Sequence, residues 1–161
     1  MAVAVIRTDT ISGEVLAYES RNGVTLHVHF TKLPKGKHGC HIHKAGDLRG
    51  EGCKGLCEHY DKGKNNHGDG PFSKEERHTG DLGNIEIKEG QTEFKKRYQL
   101  SDVSVKDLWG RSIIIHEDED DLGKGEWEDS KTTGHSGARI GCAIFGRMTC
   151  SALRHTRKRR R

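Results

Sequence analysis

The chain has 161 residues, with 31% hydrophobic, 32% charged and 21 glycines, which suits one domain with a thin core and long loops and excludes two independent cores. Its formal charge of +4 conceals an asymmetry, because Ser151 to Arg161 hold six cations (Arg154, Arg157, Lys158, Arg159, Arg160, Arg161) and no acid, leaving 22 basic against 24 acidic residues elsewhere. No stretch approaches the roughly 18 apolar residues of a spanning helix. The apolar start, Ala2 to Ile6, is too short for a secretory core. The expectation is a cytoplasmic protein without membrane contact, made of a domain over residues 1–150 and a basic, disordered tail over 151–161.

Three strands open the chain. Ala2 to Ile6, Gly13 to Tyr18 and Val24 to Phe30 are rich in β-branched or aromatic residues, and Asn22-Gly23 is a hairpin signal that needs positive φ. In the third, Val24, Leu26, Val28 and Phe30 alternate with Thr25, His27 and His29, which places both histidines on a solvent face rather than at a metal. Gly39 to His43 is a fourth strand. The 36 residues from Lys44 to Thr79 then show no sustained apolar period, and a connection of that length in a compact domain points to function. Strands return at Asp81 to Lys88, Phe94 to Leu100 and Arg111 to His116. A second irregular stretch, Glu117 to Ala138, precedes a last strand from Arg139 to Phe145. The pattern predicts an all-β, eight-stranded antiparallel Greek-key barrel or sandwich with two long functional loops.

Metal-ligand chemistry gathers in and beside those loops. His41 and His43 are two apart on a strand, so both leave the same face, about 7 Å apart at the backbone. His59, His67, His78 and Asp81 supply three imidazoles and a carboxylate, a full tetrahedral set for zinc. A loop this polar lacks apolar contacts to fold on, and a metal would supply the missing free energy. His116 ends the run Ile113-Ile114-Ile115, which leaves His41, His43 and His116 for a second metal. The five cysteines, taken by residue chemistry in an intracellular protein, read as free thiols.

Four stretches together resemble the copper/zinc superoxide dismutase family: Gly39-Cys40-His41-Ile42-His43; Glu75 to Asn84 with Arg77-His78-Thr79-Gly80-Asp81; His116-Glu117 with Asp120-Asp121-Leu122-Gly123-Lys124-Gly125; and Gly134-His135-Ser136-Gly137-Ala138-Arg139-Ile140-Gly141-Cys142. The resemblance runs from about residue 2 to 148. It implies that His41, His43, His59 and His116 hold copper, and that His59, His67, His78 and Asp81 hold zinc, with His59 bridging the two. It further implies that Asp120 joins His41 to His67, that Arg139 attracts the anionic substrate, and that Cys53 and Cys142 form a disulfide. The implied activity converts superoxide to dioxygen and hydrogen peroxide by alternate reduction and reoxidation of copper, with His59 carrying a proton.

The resemblance also implies a homodimer, for which Phe145, Met148 and Ile113 are candidate contacts, and a copper-delivery partner. Several residues depart from the family pattern. The zinc segment from His67 to His78, which carries Gly68 to Lys74, is slightly longer than in typical members, Cys40 replaces a bulky apolar residue, and Cys57 and Cys40 read as small buried hydrophobes rather than copper ligands. Cys150 reads as a free thiol. The acidic run Glu117 to Asp121 places Asp118 where the family commonly has lysine, which is expected to weaken steering of an anion. Arg157 to Arg161 suit nuclear import or weak contact with nucleic acid or another polyanion. A non-catalytic copper- and zinc-binding homologue with a polyanion-binding tail is the alternative. It needs the ligands but not Arg139.

Overall fold

The computed structural model describes residues 1–149, so the tail over 151–161 and Cys150 lie outside the described residues. Among the described residues nine strands form two antiparallel sheets. β1 (Ala2–Arg7), β2 (Ser12–Ser20), β3 (Gly23–Lys32), β6 (Phe94–Leu100) and β9 (Gly146–Arg147) make a five-stranded sheet in the order β6-β3-β2-β1-β9. β4 (His38–His43), β5 (Asp81–Ile85), β7 (Ser112–His116) and β8 (Arg139–Ile144) make a four-stranded sheet in the order β5-β4-β7-β8. The two sheets make a sandwich. The eight expected strands are present, and β9 is an addition of two residues against β1, pairing Gly146 with Val3 and Arg147 with Ala2.

Alternation explains which faces meet. Ala2, Ala4 and Ile6 of β1, Val15 and Ala17 of β2, and Leu26, Val28 and Phe30 of β3 are buried in one core cluster with Cys40 and Ile42 of β4 and Ile113 and Ile115 of β7. Val5 points the other way and is 41% exposed. His27 and His29 share that outer side, as the alternation predicts. His29 Nε2 lies 2.7 Å from Glu93 Oε2, and the His27 ring meets Tyr18 edge-on at 5.4 Å.

The β2–β3 hairpin turns through Arg21-Asn22, and the positive φ falls on Gly23 alone, at 123°. A side chain there would collide with the Leu100 carbonyl on β6. β5 ends at Ile85 rather than at Lys88, because its partner β4 begins at His38, which pairs with Ile85. One helical turn, α1 (Val105–Leu108), was not foreseen. It starts at a capping box in which Ser104 and Asp107 each bond the other's backbone N–H, a signature readable as Ser-x-x-Asp.

The four-stranded sheet is covered on both faces, and this positions the site. Every residue of β4 and β7 is buried. One face meets the core above. On the other, Ile114 packs with Cys53 and Leu56 of the first loop and with Cys142 and Ile144 of β8. A Cys53–Cys142 disulfide, with Cα atoms 6.1 Å apart, fastens the first loop to β8. Two expected dimer contacts are corrected here: Ile113 and Phe145 are 0% and 1% exposed, because the central β7 strand and the β8–β9 corner both turn them into the core. No helix among the described residues is long and apolar enough to cross a membrane.

The disulfide closes a loop with a sequence separation of 89. In the chain-entropy account this contributes roughly 4 to 5 kcal/mol by restricting the unfolded chain. Cys142→Ser is expected to lower the unfolding free energy of the metal-free protein by about that amount. Denaturant midpoints equal to wild type within error would contradict it.

Candidate metal centre

β4 and β7 deliver three imidazoles to the sheet face away from the main core. On β4, His41 and His43 alternate with the core residues Cys40 and Ile42, and on β7 His116 follows Ile115 across a register irregularity. His59 reaches the same place from the first loop through a single bridge that pairs it with His43. One donor atom from each of these four histidines lies within 4.8 Å of the others, and all four residues are buried.

Four nitrogens stand out: His41 Nδ1, His43 Nε2, His59 Nε2 and His116 Nε2 are buried and have no hydrogen-bond partner. Each ring is fixed through its other nitrogen. His41 Nε2 lies 2.6 Å from Asp120 Oδ2, His43 Nδ1 lies 2.8 Å from the Cys57 carbonyl, and His116 Nδ1 lies 3.2 Å from the Gly137 carbonyl. Uncompensated burial of a polar nitrogen is costly, and four such atoms converging is the pattern of a ligand set oriented from behind. Burial lowers the proton affinity of His41 and His43, and it brings His116 down to about 4 despite the bond to Gly137. Neutral imidazole is the form that binds a metal.

A second set surrounds the other side of His59. His59 Nδ1 lies 2.9 Å from Asp81 Oδ1 and 3.3 Å from both His67 Nδ1 and His78 Nδ1. His67 Nδ1 and His78 Nδ1 lie 3.0 and 3.4 Å from the same Asp81 oxygen. A tetrahedral ion with bonds of about 2.0–2.1 Å has ligand-to-ligand edges of about 3.3–3.4 Å, so these separations fit one ion of zinc's size. His41, His59, His67 and Asp81 also fall within 4.8 Å of one another. His41, however, has its Nε2 engaged by Asp120 and its Nδ1 among the four convergent nitrogens, whereas His78 Nδ1 faces His59 and Asp81, so the expected membership with His78 is the better donor set.

Electrostatics within this set are strongly coupled. Burial would raise the Asp81 carboxyl, but its three imidazole neighbours hold it well below the usual carboxylate range. Burial likewise opposes protonation of His67, yet Asp120 and Asp81 together lift it to about 9. Asp81 is also oriented from behind, its Oδ2 accepting the N–H groups of Gly68 and His78 at 3.0 and 2.8 Å.

Asp120 ties the two sets together. Its Oδ2 meets His41 and its Oδ1 meets His67 Nε2 at 2.8 Å, and all three side chains are fully buried. Asn84 holds Asp120 in place, accepting its N–H at 2.7 Å and donating to its carbonyl at 2.9 Å. Gly134 permits the packing. It adopts φ 69°, and a side chain there would meet Asp120 Oδ1 and His67 Nε2.

Arg139 heads β8 directly beside His116 in the β7–β8 register. Its guanidinium donates to the Cys53 carbonyl at 2.9 Å and to the Cys57 carbonyl at 2.7 Å, which fixes it beside the four convergent nitrogens. Of the acidic run, Asp120 is buried, Asp121 accepts from Ser130 Oγ at 2.5 Å, and Glu119 pairs with Lys37 at 2.8 Å. Among the described residues Glu117 and Asp118 are exposed without an ion pair.

Comparison with known proteins agrees with this geometry. The profile of the copper/zinc superoxide dismutase (SODC) family matches residues 11–145. The chain belongs to the copper/zinc superoxide dismutase family. It is 40% identical over 151 residues to a Cu-Zn superoxide dismutase of Paramecium bursaria Chlorella virus 1, covering 90% of this chain and 77% of that protein. It is 41% identical over 150 residues to Cu-Zn superoxide dismutase 2 of Mesembryanthemum crystallinum, covering 90% and 94%. An extracellular Cu-Zn superoxide dismutase of Drosophila melanogaster is 41% identical over 140 residues, covering 84% of this chain and 76% of that one, so family membership carries no compartment. The crystal structure of the clock protein EA4 superposes with a TM-score of 0.80 at 34% identity, covering 91% of this chain and 94% of that one.

The donor chemistry fits both metals of the family, imidazole alone for copper on one side and imidazole with carboxylate for zinc on the other. Three roles had no sequence reading: the Cys57 and Gly137 carbonyls that orient His43 and His116, and Asn84 behind Asp120. Asn84 lay within a matching stretch, whereas backbone carbonyls leave no side-chain signal. Cys57 is corrected. It is exposed, not a buried hydrophobe, because it turns at φ 59° to aim its carbonyl inward at His43 and Arg139.

Cys40 is the buried hydrophobe expected, and burial pushes its thiol up to about 12. At pH 8 a thiol reagent is therefore expected to label Cys57 in folded Cys150→Ser protein and leave Cys40 untouched; labelling of both at equal rates would contradict the burial. Asp120→Ala is expected to weaken zinc retention about 10- to 100-fold in chelator competition. Retention equal to wild type would show that the bridge to His41 and His67 is dispensable.

Proposed function

We propose that the chain disproportionates superoxide to dioxygen and hydrogen peroxide, with copper on His41 Nδ1 and on Nε2 of His43, His59 and His116. Zinc, in this reading, binds Nδ1 of His59, His67 and His78 together with Asp81 Oδ1. The observation that carries the reading is the set of four buried, partnerless ring nitrogens beside a fixed arginine. When bound, copper supplies the one-electron redox chemistry, while zinc holds the loop and tunes His59.

His59 is suited to move a proton because its two nitrogens face different sets. Nδ1 stays fixed among Asp81, His67 and His78, while Nε2 faces the other three histidines and would carry the proton for peroxide only when it does not hold copper, since one ring nitrogen cannot do both. Arg139 donates to the Cys53 and Cys57 carbonyls and, at 3.5 Å, to the Lys54 carbonyl, and its remaining N–H groups suit a small anion. Its charge is permanent, so attraction of superoxide persists across the physiological pH range. The acids on the rim oppose that attraction, Asp118 standing against Gly137, two residues before Arg139.

A homodimer is part of the same reading. Val5 and Leu48 are exposed large hydrophobics, and the half-buried Trp109 lies beneath the Arg147 guanidinium at 4.1 Å, on the side where β9 pairs with β1. Those residues, rather than Ile113 and Phe145, would supply the apolar contact.

The test is metal analysis of protein expressed with and without copper, alongside inhibition of superoxide-driven dye reduction. Activity is expected to follow copper content and to vanish in His116→Ala; copper-loaded protein that fails to inhibit dye reduction would leave only metal binding. Arg139→Gln is expected to reduce the rate about tenfold or more. Asp118→Lys is expected to raise the association rate at low ionic strength and steepen its fall with salt. Stopped-flow rates unaffected by Asp118→Lys would remove that residue from steering.

A further inference from the structure

The second loop carries a surface that the metal chemistry does not use. Residues 117–138 hold eight acids and two lysines, a net charge of −6, while residues 151–161 hold six cations and no acid, a net charge of +6. On that loop Trp127 is 63% exposed and yet held in one orientation. Its ring stacks on His135 at 4.4 Å with 9° between the planes, and His135 Nδ1 lies 2.7 Å from Asp129 Oδ1. The Trp127 backbone N–H donates to Ser130 Oγ at 3.1 Å. Glu126 and Glu128 on either side are exposed.

A cation lies over four other aromatic rings: Lys96 over Phe72 and Tyr98, Arg111 over Tyr60, and Arg147 over Trp109. Among the described residues none lies over Trp127. An exposed indole stacked on one side by His135, with exposed Glu126 and Glu128 as its chain neighbours, is suited to a guanidinium, through cation–π attraction and charge pairing together.

We propose that the chain's own basic segment, residues 151–161, docks on this face of the second loop, with an arginine over Trp127 between Glu126 and Glu128. Arg157 to Arg161 lie eight to twelve residues beyond Thr149, about 26 to 43 Å of extended chain. A domain of this size is about 40 Å across. The opposite charges of the two segments favour this occupant. Resting on the superoxide reading, a consequence follows: the docked segment offsets the negative loop beside Arg139, so attraction of the anion depends on the tail.

The test uses the full-length protein. A carbodiimide couples amines to adjacent carboxylates without a spacer, and Lys158 is the one lysine in the segment. Peptide mass spectrometry is expected to find Lys158 joined to Glu126, Glu128 or Asp129 at low salt. That adduct should fall at least tenfold in about 0.5 M salt, where screening is short-ranged, and in the Glu126→Gln/Glu128→Gln variant. In a Trp109→Phe background, Trp127 emission should shift when Arg157, Arg159, Arg160 and Arg161 are changed to Gln. Coupling spread over acids of other faces such as Glu14 and Glu89, or Trp127 emission blind to the four substitutions, overturns docking. So does retention of the segment on heparin with no loop adduct at low salt. Neither readout needs turnover, so a failed superoxide reading is a separate result. In active protein the four-Gln variant should react several-fold more slowly at low salt, and an unchanged rate overturns the steering consequence.

Discussion

The structure depends on one buried carboxylate. Asp120 comes from the second loop, yet its two oxygens hold His41 of the sheet and His67 of the first loop, at 2.6 and 2.8 Å. Three segments far apart in sequence are thereby fixed relative to one another by two charge-assisted contacts inside a dry interior. Such a group is costly to bury alone, and it is stable here because both oxygens are engaged and Asn84 and the Leu122 N–H complete its contacts. The ordering is mutual: Asp120 orients the imidazoles, and the imidazoles justify its burial.

This cluster takes the place that a second apolar core would fill in a protein with more hydrophobic residues. The main core lies between the sheets, and the outer face of the four-stranded sheet has only the small cluster of Cys53, Leu56 and Ile114 with Cys142 and Ile144. Two long polar loops cannot be held by that alone. The disulfide fastens one end of the first loop to β8, while the Asp81 and Asp120 networks fasten the rest to β4 and to the second loop. Loops ordered by directional contacts in this way can place donor atoms to within fractions of an ångström, which apolar packing of flexible side chains does not do.

Where the sequence was legible, each residue carried its own reason. Val24 to Phe30 alternate because one face is buried, and His41 and His43 share a face because strands repeat every two residues. The ligand residues could be named because imidazoles and carboxylates in a polar loop have few other uses in a buried site. That His59 belongs to both sets came through resemblance, since spacing along a loop does not say which nitrogen faces which neighbour. Backbone contributions were invisible for a related reason. Every residue has a carbonyl, so nothing marked those of Cys57 and Gly137 as the ones that orient His43 and His116. The short elements β9 and α1 were missed because two or four residues are too few to display a period.

The contrast between ligands and rim charges has a physical cause in the range of the forces. A ligand displaced by an ångström is lost, so donor atoms must keep both type and position. Rim charges act on a diffusing anion across roughly a Debye length, about 8 Å at physiological ionic strength, and a charge at one point can be offset by another several residues away in space. A lysine can therefore become Asp118 with the site's contacts intact, provided positive charge returns from elsewhere. In this chain the compensating charge is concentrated at the C-terminal end, while the loop that borders the site is acidic. The proposed docking of that end on the loop would return the positive charge that Asp118 lacks.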